Sequence, residues 1–237
     1  MSDVVRYEVR ERVAAVTIEN GKANALSPQV IGLIDESIER AESAGPDEVG
    51  VMTITGRPGM LCGGFDLEVI RRSPADAGAL VTAGGALFTR LLGSPVPVVV
   101  SCGGHAVAAG ALLLLSADER IGAAGTFRIG LNETAIGMAL PRWAIELAEE
   151  RLSRRHFQLA TVGARLFDPA TARDVGYLDS VVEPDELDAA VAAAATAWAG
   201  LPRSAYRRQV QGLRGARLAR LHAAVDADRG QVFGVSD

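Results

Sequence analysis

Cysteine, lysine, histidine and aromatic residues are all scarce in this chain, and the scarcity of cysteine and of histidine each closes off a class of protein. Two cysteines among 237 residues, Cys62 and Cys102, are too few and too far apart for a disulfide framework or a thiolate zinc site, and they fit a reducing compartment. The three histidines, His105, His156 and His222, are separated widely in sequence, so neither a metal centre nor a positioned base for a serine nucleophile is expected. Lysine occurs once, as Lys22. With a formal charge of -5 and no block of either sign, nothing resembles the footprint of a nucleic-acid binder. The first twenty residues carry Arg6, Glu8, Arg10, Glu11 and Arg12 where a secretory leader needs an apolar core, which points to a cytoplasmic protein. One uncharged run, Leu91 to Ala117, exceeds the roughly 20 residues that span a bilayer. Pro95, Pro97 and the Gly103-Gly104-His105 triplet interrupt it, so it reads as a buried strand, a glycine turn and a buried helix, with no membrane partner.

What is present is a soluble-type balance of 49% hydrophobic and 22% charged residues, enough to bury a large core. Val4 to Glu19 reads as two alternating strands joined at Glu11 and Arg12. Ser27 and Pro28 form a helix start, with Val30, Ile31, Ile34 and Ile38 as its buried stripe, and VGVMTIT (49 to 55) follows as a buried strand. A glycine-rich loop runs from Gly56 to Phe65, helical material from Asp66 to Leu92, and a strand over 96 to 101. GGHAVAAG then turns into the helix ALLLLSA, and DERIGA makes another strand. Strands alternating with helices predict an α/β fold with mainly parallel pairing. After Pro141 the texture is helical: Pro141 to Arg151, Ser153 to Thr161, Asp168 to Val175 and Pro184 to Ala199, with one short strand at 178 to 182. From Leu201 onward, arginines interleave with Leu213, Leu218 and Leu221. No linker separates this tail, so residues 1–183 are read as the core carrying the site, and 184–237 as a helical region docked on the core or on a neighbouring subunit.

Neither a Walker A loop, G-x-S-x-G nor G-x-G-x-x-G occurs. Two glycine-rich turns do stand out, each preceding a helix: GMLCGGFDLEVI (59 to 70) and CGGHAVAAGALLLL (102 to 115). Helix N-termini carry unpaired N–H groups and a positive dipole end, so two aimed at one point make an oxyanion hole. Taken alone, such turns equally serve close packing of helix on strand.

Together with IGLNETAIGM (129 to 138), the two turns resemble the crotonase family of acyl-CoA enzymes, which includes enoyl-CoA hydratases and isomerases, over nearly the whole chain. The resemblance implies a spiral of repeated ββα units with C-terminal helices that complete trimers or dimers of trimers. It implies that the peptide N–H groups of Phe65 and Ala109 bind a thioester oxygen. The loop GKANAL with Lys22, Ala23, Ala25 and Leu26 would line the coenzyme A site beside Gly63, Gly64, Asp66 and Leu67. Coenzyme A would enter as part of the acyl-CoA substrate, with no separate cofactor and no metal.

Family hydratases use two glutamates, and Glu133 matches the second. Among Leu131, Ile136, Met138 and Leu140 its pKa is expected to rise toward that of a general base, although a glutamate beside Asn132 could also be an ordinary cap. The first glutamate is missing: Leu112 occupies its place, and Asp118 and Glu119 come too late. The resemblance is therefore nearest to single-glutamate Δ3,Δ2-enoyl-CoA isomerases. Enoyl-CoA hydratase and a non-catalytic acyl-CoA binding protein are the alternatives, and an enzyme using Cys62 or Cys102 as nucleophile is a third.

Overall fold

The computed structural model describes residues 4–231. A hairpin opens the chain, β1 (Val5–Arg10) and β2 (Val13–Ile18), turning at Glu11 and Arg12, both at positive φ. α1 (Pro28–Ser43) begins as read, with Ser27 Oγ accepting the Val30 N–H at 3.3 Å. β3 (Val51–Thr55) is the buried strand. The expected loop from Gly56 to Phe65 contains a strand, β4 (Gly59–Cys62). The helical stretch after it is two helices, α2 (Leu67–Arg72) and α3 (Pro74–Gly93), divided at Ser73, whose hydroxyl caps α3 at the Asp76 N–H, 3.0 Å away.

The uncharged run is the end of α3, then β5 (Val98–Cys102), β6 (Gly104–Val107) and α4 (Ala109–Leu115). The GGHAVAAG turn thus holds a strand of its own. β7 (Glu119–Ala123) and β8 (Ile129–Gly130) follow, then a 3-10 turn (Thr134–Ile136) and α5 (Arg142–Arg151). The helix read over Ser153 to Thr161 shrinks to α6 (Phe157–Ala160). α7 (Pro169–Val175), β9 (Ser180–Val182), a second 3-10 turn (Pro184–Glu186), α8 (Leu187–Ala199) and α9 (Arg203–Asp228) complete the order. The end of the tail, 232–237, lies outside the described residues.

The strands form two sheets. The larger has the order β1-β2-β3-β5-β7-β9, parallel throughout except for the opening hairpin. Its side chains alternate between faces: Val51, Val99 and Ile121 lie in the cluster under α8, whereas Met52, Ile54, Val98 and Val100 join the main core with α1, α3 and α4. The smaller sheet, β4-β6-β8, is entirely parallel.

α9 lies along α3 and α5, burying Tyr206, Val210, Leu221 and Val225, with Leu218 packed over Gly93. Its polar anchor is Asp118, just beyond α4, whose side chain is buried and accepts from Arg214 at 2.7 Å, the Tyr206 hydroxyl at 2.9 Å and the Val98 N–H at 2.8 Å. Removing one partner of such a buried pair costs about 3–5 kcal/mol, because the remaining charge is left uncompensated. Among the described residues no helix is long and apolar enough to cross a membrane, and no group of three or more His, Cys, Asp or Glu could hold a metal ion.

Candidate active site

The three motifs singled out by sequence meet because three parallel strands end side by side. β4 runs into Gly63-Gly64-Phe65, β6 into Ala108-Ala109 and β8 into Leu131-Asn132-Glu133, so all three segments leave the same edge of the small sheet. The carboxyl edge of parallel strands is the usual place for a ligand in open α/β sheets. Close approach here demands glycine: a Cβ on Gly104 would stand 1.9 Å from the Gly59 carbonyl carbon, and one on Gly110 would stand 2.1 Å from the Cys62 oxygen. The first two turns touch where Gly64, at φ +119°, would bring a Cβ to 3.2 Å from that of Ala108. The Ala108 N–H donates to the Gly130 oxygen at 3.0 Å, tying the second turn to the third strand.

Phe65 is paired with Leu26 by a parallel bridge, in which the Leu26 N–H donates to the Gly64 oxygen at 2.9 Å and the Asp66 N–H to the Leu26 oxygen at 3.1 Å. In that pattern the neighbours of Phe65 make the bonds, so its own N–H points to the other side. Its ring seats on Gly84 of α3 and lies 6.4 Å from the Phe88 ring. Ala109 is the first residue of α4. The preceding Ala108, at φ +53° and ψ −119°, is strained for a residue with a side chain, and it swings the strand into the helix while its carbonyl accepts from Ala111 and Leu112. Neither the Phe65 nor the Ala109 N–H has an acceptor among the described residues. Two such donors on touching turns can share one developing oxyanion.

Glu133 is 9% exposed, and its Oε2 has no hydrogen-bond partner. The side chain caps nothing: it is the backbone carbonyl of Glu133 that closes the 3-10 turn, accepting from Ile136 at 3.0 Å and Met138 at 2.9 Å. Burial pushes the carboxyl up to about 7, against the smaller opposing pull of the Glu133 and Asn132 N–H groups. Of the four expected apolar neighbours, Leu131 is fully buried and Met138 and Leu140 partly so, while Ile136 is 41% exposed. Leu112 is buried in α4.

In the opening loop, Leu26 is buried, Ala25 half-buried, and Lys22 and Ala23 exposed. Ala23 nevertheless meets the site backbone to backbone, accepting the Gly63 N–H at 2.8 Å. Leu67 is exposed at the rim, and Asp66 is engaged as the cap of α2, accepting the Glu68 N–H at 2.9 Å. The residue that sequence reasoning passed over is Asn24. Fully buried at φ +49°, it donates to the Ile18 oxygen at 2.9 Å and the Leu61 oxygen at 2.7 Å, and accepts the Asn20 N–H at 2.7 Å. It latches the loop to β4. The available signal was an asparagine, a residue that tolerates left-handed backbone, between two small residues. Arg57 supports the same loop by donating to the Lys22 carbonyl.

The cysteine alternative finds no support in the structure. Cys62 and Cys102 are both buried, and desolvation pushes each thiol up to about 12, far from thiolate chemistry at neutral pH. Cys62 instead accepts the Gly64 N–H at 3.3 Å, and Cys102 donates to the Gly104 oxygen at 3.2 Å.

Comparison with known proteins points one way. The family described as Enoyl-CoA hydratase/isomerase matches residues 8–233. The structure is similar to that of an enoyl-CoA hydratase/isomerase family protein from Pseudomonas syringae, with 42% identity and a TM-score of 0.93 over 97% of this chain and 98% of that one. It is similar also to the apo enoyl-CoA isomerase of Mycobacterium tuberculosis, with 36% identity and a TM-score of 0.89 over 96% and 98% of the two chains. Human mitochondrial enoyl-CoA delta isomerase 1 is 32% identical over 91% of this chain and 72% of its own.

Proposed function

The chain belongs to the enoyl-CoA hydratase/isomerase family, and from that premise we propose that it is a Δ3,Δ2-enoyl-CoA isomerase with Glu133 as its one proton shuttle. The thioester oxygen of the substrate sits between the N–H groups of Phe65 and Ala109, which lowers the energy of the enolate formed when a C2 proton leaves. Glu133 takes that proton. The electron pair of the broken C2–H bond is delocalised onto the oxygen, and its return forms C2=C3 as the C3=C4 pair collects the same proton at C4. A carboxyl at about 7 suits both halves, being ionised often enough to accept and acidic enough to give back.

The observation that carries this reading is the pairing of one buried carboxylate with an unpartnered oxygen, at the edge of the small sheet, with Leu112 in α4, where the two-carboxylate scheme needs its other acid. The isomerase name of the human relative supports it. In the same reading the coenzyme A part of the substrate lies along Lys22, Ala23, Ala25 and Leu26 and against Gly63, Gly64, Asp66 and Leu67. Three copies, or two such trimers, make the working assembly that the family resemblance implies. Light scattering showing a stable monomer at micromolar concentration would contradict that assembly. Assay of one preparation on 3-enoyl-CoA and on 2-trans-enoyl-CoA tests the activity itself. Isomerisation without efficient hydration is expected. Efficient hydration would make the protein a hydratase, and tight acyl-CoA binding with neither turnover would make it a binding protein.

A further inference from the structure

Three buried polar atoms around the end of β8 have no hydrogen-bond partner: Asn132 Oδ1, Glu133 Oε2 and the Tyr177 hydroxyl. Buried polar groups in folded proteins are nearly always paired, so an unpaired cluster next to a proposed base calls for a role. The first two atoms can only accept when Glu133 is ionised. The one proton on offer among the three is the phenolic one of Tyr177.

Tyr177 is held there by the backbone on both sides. Gly176, at φ +110°, ends α7, and the Tyr177 N–H returns to the Ala172 oxygen at 2.9 Å. The ring, fully buried, lies 6.3 Å from that of Phe167, which is itself fastened to β8 by two hydrogen bonds of 2.9 Å with Ile129. The hydroxyl oxygen faces the Leu131 N–H, two residues before the base. The Glu133 carboxylate is close enough that its charge adds to burial in raising the phenol well above its ordinary range. The other charges on the packed elements act elsewhere. Arg120 pairs with Asp179 at 2.5 Å, Arg173 with Asp174 at 3.1 Å, and the Arg165 guanidinium lies 6.0 Å from the Phe167 ring.

We propose that Tyr177 is a positioning residue for Glu133: its hydroxyl, with its oxygen turned to the Leu131 N–H, donates its proton to the Glu133 carboxylate across one bridging water. Between the two orphaned acceptors the carboxylate wins, because a hydrogen bond to an ionised oxygen is about twice as strong as one to an amide oxygen. Such a donor favours the ionised form and so offsets part of the burial that raises the carboxyl. It also restrains one carboxylate oxygen, leaving the other to work between C2 and C4 of the substrate.

The inference rests on Glu133 being the base, so its test is read without turnover. In protein carrying 13C-carboxyl glutamate, the Glu133 resonance is identified by its loss in Glu133→Gln, and its titration is followed by NMR. Tyr177→Phe is expected to raise the midpoint by about half a unit to one unit, as the loss of a donor to the charged form requires. Site-specific 3-fluorotyrosine at 177, a more acidic donor of nearly the same shape, is expected to lower it. The acidic limb of kcat/KM on 3-enoyl-CoA should move with the midpoint while KM stays fixed. An unmoved or lowered midpoint in folded Tyr177→Phe would overturn the proposal and leave the hydroxyl to Asn132. Should Tyr177→Phe not fold, the fluorotyrosine protein decides, an unmoved midpoint overturning the link. If 3-enoyl-CoA is not turned over at all, the base assignment fails separately, and the titration still judges the link between Tyr177 and Glu133.

Discussion

The two sheets of this protein divide its labour. The six-stranded sheet is built from apolar runs such as Val98 to Val100, buries side chains on both faces, and holds no residue of the proposed site. The three-stranded sheet has strands of two to four residues, has glycine at Gly59, Gly104 and Gly130, and delivers Phe65, Ala109 and Glu133 from one edge. The larger sheet carries hydrophobic stabilisation. The smaller carries geometry, and at Gly104 its backbone contacts are so close that a side chain is excluded. Stability and activity should therefore separate when each sheet is altered.

The sharpest break concerns Glu133. Glu133→Gln should lower isomerisation by on the order of 100- to 10,000-fold, the usual worth of a positioned acid–base group, with acyl-CoA binding nearly intact by calorimetry. In the unaltered enzyme kcat/KM should rise as pH passes about 7, since only the ionised form accepts a proton.

Next comes a matched pair across the sheets. Gly104→Ala forces a Cβ into the Gly59 backbone, displaces β6 against β4, and should misplace the Ala109 donor. A fall in kcat of about 100- to 1,000-fold is expected, the worth of one oxyanion donor. Ile54→Ala in the larger sheet should cost about 2–5 kcal/mol in denaturant unfolding, with kcat unchanged in the protein that remains folded. Equal losses of activity in the two variants would erase the distinction between the sheets.

A smaller effect is thermodynamic. The Glu133 carboxyl binds its proton more tightly folded, at about 7, than at its ordinary 4.5, so its contribution is most favourable at acid pH and is lost as pH rises through 7. Glu133→Gln should accordingly gain up to about 3 kcal/mol relative to the parent between pH 4 and pH 8, seen in unfolding curves at the two pH values. The smallest effect expected is from Leu112→Glu. A second carboxylate on α4 should raise hydration of 2-trans-enoyl-CoA above the parent level, but modestly, since a buried acid must be desolvated and reached by water.

The same division explains what could be read from the sequence. Apolar runs and capped helices carry their own signals, so β3, β5, β7, the Ser27-Pro28 start and the Asp168-Pro169 start stand in the sequence as they do in the structure. β4 and β6 do not. Each is four residues long and starts at a glycine that permits close strand pairing and looks like a loop residue, which leaves too short a side-chain pattern to signal a strand. The three segments that meet at the edge of the small sheet were legible through their order and their family resemblance, and Glu133 was singled out as the match to the family's second glutamate. Asn24 and Tyr177 were not, because their importance lies in buried hydrogen-bonding groups of residues distant in sequence from what they serve.

The most direct measurement follows the proton itself. With 3-enoyl-CoA carrying deuterium at both C2 positions, a single buried carboxylate that removes one label and returns it should leave part of that deuterium at C4 of the 2-enoyl product, detectable by NMR or mass spectrometry. Label at C4 that disappears in Glu133→Gln along with turnover is the expected result. Rapid isomerisation with C4 protonated only from solvent, or undiminished isomerisation in Glu133→Gln, would contradict a one-glutamate shuttle at the edge of the small sheet.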